Sequence, residues 1–185
     1  NKNIPEQFRT SEALIKIPVV VHIIHTGGAI GTTYNPTDNQ IISAINYVNQ
    51  AYAGTLTGIQ GVGNLNIQFE LAKRDPNCNP TNGIVRIDAS GLQNYVTSGV
   101  NQSGSSGLSD FELKNLSRWD QANYYNIWVV NKIDGADGTS GQFTAGYALF
   151  PGSGTSDGTV ALASQTKSGT DLLIHELGHA FALYH

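Results

Sequence analysis

Two histidines one helical turn apart, His175 and His179, with Glu176 directly after the first, are the residues of this chain best suited to chemistry. Successive residues of a helix rotate by about 100°, so the two imidazoles lie within about 40° of each other and can converge on one metal ion. Glu176 falls about 100° from His175 and about 60° from His179, beside such an ion rather than aimed at it. That placement suits a general base for a metal-activated water. Leu173, Leu177 and Phe181 recur every fourth residue on the side facing away and would anchor the helix to a core. The spacing implies a zinc site; the bland alternative is a satisfied helical histidine pair.

A third histidine, His185, needs a different geometry. In a continued helix it would sit about 15 Å of rise beyond His175 and some 80° off its face, out of reach of the same ion. For His185 to fold back, the helix must end near Phe181 and the chain must turn sharply there. The stretch HELGHAFALYH resembles the extended metzincin signature HExxHxxGxxH, and Leu183, two residues before the last histidine, resembles the pappalysin-like branch of that family. The resemblance implies a zinc endopeptidase in which His175, His179 and His185 hold the metal and Glu176 is the general base. This chain has Ala182 where the signature has Gly. The glycine serves a turn of positive φ, which a Cβ disfavours by roughly 1 to 2 kcal/mol.

The elements that must position these residues read as alternating strands and helices. The run at 17–25, IPVVVHIIH, is short, apolar and β-branched, as expected of a central strand covered on both faces. His22 and His25 within it point to opposite faces and read as packed histidines rather than ligands. Thr37 to Gln40 has the capping-box form, and Ile41, Ile45, Val48 and Tyr52 follow at helical spacing, so a long amphipathic helix ends near Gly54. Strands are predicted at Ile67–Leu71 and at 84–87, with a Pro-containing loop at 75–82 between them. A Ser/Gly-rich loop at 97–107, too polar to pack, precedes a second capped helix at Ser109 to Leu116. Further strands are predicted at 126–131, at 146–150 as an edge strand ended by Pro151, and at 159–163, before an active-site helix that begins after Ser168 or Thr170.

This order is similar to the upper subdomain of pappalysin-like metzincins across most of the chain. The resemblance implies an α/β (α+β) fold: a mixed, twisted sheet with an antiparallel edge strand, a backing helix and an active-site helix, in one catalytic domain over 1–185 with a loose arm at 1–13. It also implies a lower subdomain with a Met-turn beneath the zinc. The chain has no Met and stops at His185, so that subdomain is absent here and is a possible partner. An unpaired edge at Gly146, Tyr147, Ala148, Leu149 and Phe150 next to the metal would hold a peptide substrate by strand addition; a covered edge is the competing reading. A second class of function stays open: a zinc-containing binding or adhesion module without turnover. Retention of Glu176 argues against it, and Ala182 together with the missing lower half argues for it.

Composition narrows the remaining classes. With 185 residues, 39% of them hydrophobic, the chain can bury one full core. Its net charge is −4 and its 10 Lys and Arg form no basic run, which argues against nucleic acid or an anionic membrane as partner. No apolar segment approaches the roughly 20 residues of a membrane span. The start at Asn1 without Met or a signal reads as a mature or trimmed product, and the abundance of Gly, Asn, Ser and Thr suits a secreted protein. Cys78 is alone, so there is no internal disulfide. Asn101 and Asn115 open glycosylation sequons, meaningful only in a host with that machinery. The Gly-rich loop at 134–142 carries Asp134 and Asp137 and could suit calcium, but its spacing is not an EF-hand, and a solvated loop is the favoured reading.

Overall fold

A computed structural model describes residues 13–57 and 63–184. Most of the arm expected at 1–13 lies outside them, as does His185. The first strand, β1 (Ile15–His25), is central as its composition requires, with Val19 to Ile24 buried. Along one edge it pairs in parallel first with β2 (Ile67–Leu71) and then with β3 (Ile84–Asp88), and along the other with β6 (Tyr125–Val130). Pro18 is tolerated inside this central strand for a positional reason. Ile15 donates its N–H to Asn66 on the β2 side, so Pro18, three residues on, turns its missing donor to the other side, where β6 pairing begins only at Val19. Beyond β6 come β8 (Gly158–Leu162), parallel to it, and β7 (Gly146–Leu149), antiparallel to β8 and at the end of the sheet. The sheet is therefore mixed, with an antiparallel edge strand, as expected.

Alternation along the strands divides the core between the two faces. On one face Val19, Val21, Ile23, Ile127, Val129 and Ala161 pack against α1 (Asp38–Tyr52) and α4 (Leu172–Ala180), the helix that carries His175 and His179. The α1 N-terminus is the expected capping box: Gln40 donates its backbone N–H to Thr37 Oγ1, and Thr37 donates its own to Gln40 Oε1 at 2.8 Å. The other face buries Ile24, Trp128, Val130, Val160 and Leu162 under α2 (Gln93–Ser98) and α3 (Asp110–Asn115).

The polar stretch at 97–107 packs more than its composition suggested, which corrects the reading of it as a loop too polar to pack. Its start belongs to α2, and β4 (Val100–Asn101) pairs in parallel with β5 (Leu108–Ser109) as a separate two-stranded sheet. Backbone proximity makes this possible. Gly99 has φ 71°, and a Cβ there would lie 1.9 Å from the Lys132 carbonyl oxygen. Side-chain polarity is a poor guide where the chain packs through its main chain.

His22 is fully buried, stacked on Trp128 at 5.3 Å and edge-on to Trp119, as a packed histidine should be. Its Nε2 lies 2.9 Å from Asn126 Oδ1, an acceptor that also takes the Trp119 N–H, so Nε2 carries the proton. Nδ1 has no hydrogen-bond partner among the described residues, and burial, only partly opposed by the Asn126 hydrogen bond, lowers the pKa to about 4. The unfolded chain takes up this proton near pH 6.5, before the folded one does. Stability from neutral His22 is therefore complete above about pH 6.5 and lost as pH falls towards 4, by about 3 kcal/mol in all. Thermal unfolding followed between pH 7 and 4 should show this acid limb. His22→Gln, which keeps a donor for Asn126 but cannot titrate, should flatten it.

Candidate active site

The active-site helix α4 is held by its back. Leu173 and Leu177 are buried against α1 and the sheet, each worth about 2 kcal/mol of transfer free energy. Phe181, expected to share that anchor, is only partly covered and leans its ring against Tyr52 and Phe69. The opposite side carries the histidines. Their rings are 4.7 Å apart and nearly perpendicular, and their Nε2 atoms are 3.2 Å apart. Two nitrogens bound at 2.0 to 2.1 Å to a tetrahedral ion stand about 3.3 Å from each other, so this pair fits zinc.

The second nitrogen of His179 strengthens the fit. Nδ1 is 2.7 Å from the Leu183 carbonyl oxygen, which can only accept. His179 therefore carries its proton on Nδ1 and presents a bare Nε2 to the metal position, an outer contact of the kind that orients metal-binding histidines. Sequence spacing did not reveal this partner, because it is a main-chain group. Among the described residues no third His, Cys, Asp or Glu joins the pair. The third ligand expected from the motif, His185, lies outside them.

What supplies that carbonyl is the end of the helix. The helix stops at Ala180 with Phe181 as its cap, in agreement with the requirement that it end near Phe181. Ala182 then adopts φ 59° and donates to the His179 carbonyl at 2.9 Å, while Leu183 donates to the Gly178 carbonyl at 3.2 Å. These are the two bonds of a Schellman cap, with an alanine where glycine is usual. The chain reverses here despite a cost of about 1 to 2 kcal/mol for a left-handed residue with a Cβ.

Glu176 is 6% exposed and, with His175, borders a cavity of about 410 Å³ whose other walls include Gly146, Gln165, Thr170 and Asp171. Tyr125 lies close enough to feel it. Burial first, with the charges of Asp157 and Glu176 adding to it, holds that phenol well above its ordinary pKa, although its hydrogen bond with Thr159 works the other way. On the far side of the histidines an apolar cleft of about 650 Å³ is lined by Tyr52, Leu56, Leu65, Ile174 and Phe181.

The edge strand borders the same region. Gly146 lies against the start of α4: a Cβ there would come 3.0 Å from Leu172 Cδ1. Tyr147, Ala148 and Leu149 continue the strand. Phe150 does not, which shortens the expected strand by one residue; it precedes Pro151 and stacks on Tyr184 at 4.5 Å with its ring 5.4 Å from that of His179. In the loop at 134–142, Asp134 accepts from Gln102 and Ser103, and Asp137 accepts from Tyr34 and Thr139.

Solved structures share this fold. Mature mirolysin of Tannerella forsythia, in complex with a cleaved peptide, is 30% identical with a TM-score of 0.69 over 94% of this chain and 65% of that one. A glutamate-to-alanine mutant of Tannerella forsythia promirolysin is 29% identical with a TM-score of 0.70, over 94% and 57%. Mirolysin in complex with a compound is 30% identical with a TM-score of 0.64, over 94% and 65%. The chain thus spans less than two thirds of each of these proteins, and its fold is that of a metzincin-like catalytic domain. No curated protein matches the sequence. The model of the reprolysin-like metallopeptidases matches residues 38–185, from the start of α1 through the HELGHAFALYH stretch, and the chain belongs to that family, M12B.

Proposed function

We propose that this chain acts in a zinc-dependent endopeptidase, and that the pairing of a preset His175–His179 couple with the buried Glu176 is the observation that carries the reading. His175 and His179 would hold zinc through Nε2, with His185 as third ligand. When bound, zinc supplies Lewis acidity, polarising a scissile carbonyl and making a water more acidic. Glu176 accepts a proton on its carboxylate during attack and returns it to the departing amine. A peptide lies along β7, with main-chain hydrogen bonds to Gly146, Tyr147, Ala148 and Leu149 and with Phe150 at the end beside His179.

The pappalysin-like branch is the finer assignment we favour, supported by the identity of Leu183 two residues before His185. Secretion is supported by composition. Among the described residues no helix is long and apolar enough to cross a membrane, and a net charge of −4 speaks against nucleic acid. For the loop at 134–142 we favour the solvated reading over calcium, because both carboxylates already accept hydrogen bonds from the protein.

The test is direct. Full-length protein carrying one zinc should cleave an unfolded protein, lose that activity to a chelator and regain it with added zinc. Full zinc occupancy without cleavage would favour the binding module.

A further inference from the structure

Lys114 has no exposed surface, although it lies in the short helix α3 among Asp110, Glu112 and Asn115. Its ammonium is 3.0 Å from Asp110 Oδ1, one turn back, and donates to the Ser156 carbonyl at 2.5 Å. It also lies over the rings of Trp128 and Tyr147, at 5.3 and 5.9 Å. The Tyr147 hydroxyl donates to the same Asp110 oxygen at 2.8 Å. One turn further along, Arg118 donates to the Thr155 carbonyl at 3.0 Å.

These contacts share a destination. Tyr147 is the second residue of β7, paired with Val160 of β8, and Thr155 and Ser156 form the 3-10 turn at Gly154–Ser156 that joins the two strands. From behind the sheet, α3 therefore grips both the edge strand and the turn by which it returns. Among the described residues β8 is the sole strand partner of β7, so no strand pairs with its outer side. An apolar residue could have filled the site of Lys114, and a buried ion pair is often no more stabilising than such a residue. A buried pair does impose direction. The buried ammonium must have its hydrogen bonds met, which ties the position of the strand to that of α3.

We infer that Asp110 and Lys114, acting through Tyr147 and the Gly154–Ser156 turn, are positioning residues that hold β7 at the register and distance from His175 and His179 that a bound peptide needs. The inference rests on β7 as the substrate strand. Its geometric basis is that β7 meets α4 at its start, through Gly146 against Leu172, and that Phe150, directly after its end, lies against His179. A strand released from α3 shifts relative to the histidines even though no residue near them has changed.

Two substrates and one structural readout test it, in full-length, zinc-loaded protein. Lys114→Met and Tyr147→Phe should raise KM about tenfold for a peptide long enough to run along all of β7, the equivalent of one or two poorly set hydrogen bonds. For a peptide spanning only the scissile bond and its neighbours, KM and kcat of Lys114→Met should stay within about twofold. Asp110→Asn, which keeps an acceptor for Tyr147 and Lys114, should retain most of the parent's behaviour. Hydrogen exchange at the 146–149 amides should quicken about tenfold in Lys114→Met, with β1 unchanged. Tyr147→Phe, the milder change, carries the test if Lys114→Met does not fold. Equal losses on long and short peptides, or unchanged exchange in β7, overturn the inference. A parent that cleaves nothing defeats the peptidase reading instead, and the exchange measurement then decides whether α3 holds the strand.

Discussion

Glu176→Ala leaves one zinc per chain and lowers peptide hydrolysis by about 10²-fold or more. Both halves of this expectation come from where the carboxylate sits. It follows His175 directly on α4 and is nearly buried, beside the cavity that Gly146 and Thr170 also line. It is therefore next to the metal position without being needed to hold the ion. General acid–base groups contribute roughly 10² to 10⁴-fold, and Glu176 is the carboxylate on this helix placed to accept and return the proton. Its removal takes away that transfer and leaves the histidines and their Leu183 contact in place. Zinc analysis and steady-state hydrolysis of an unfolded protein, compared at equal metal content, check the result. Undiminished hydrolysis at full occupancy would mean that Glu176 is not the base.

His179→Ala removes zinc itself and abolishes activity with it. Loss of an outer contact to a metal ligand commonly costs 10 to 100-fold in affinity, so loss of the ligand should exceed about 100-fold. The substitution also strands the Leu183 carbonyl, which now meets the His179 ring at 2.7 Å. Folding should survive, because Leu173 and Leu177 on the back of α4 still pack in the core. Metal analysis after dialysis, with circular dichroism to confirm the helix, reads both. Full zinc stoichiometry in this variant would remove His179 from the site.

Features with strong local signals were legible in the sequence. The Thr37–Gln40 and Ser109–Glu112 boxes marked helix starts because both partners are only three residues apart. The β-branched run of β1 and the apolar run of β6 announced buried strands, and Pro151 announced an edge. The histidine pair was visible because helical spacing fixes its geometry. Less was legible where the deciding contact is distant or main-chain. Helix α2 has Leu92 at its N-cap with no side-chain bond, so it lacks a start signal. Asp110 and Lys114 look like an ordinary surface pair four apart, and only the sheet above them makes the lysine buried. That β2 and β3 stack end to end along one edge of β1 follows from the lengths of all three strands together.

The left-handed alanine at 182 has a consequence that is felt in the unfolded chain as well as in the native turn. Glycine at that point would relax the native turn, but it would also leave the unfolded chain more states to lose. With alanine, the unfolded chain has fewer states to lose, which offsets part of the strain in the turn that carries the bond from His179 to Leu183.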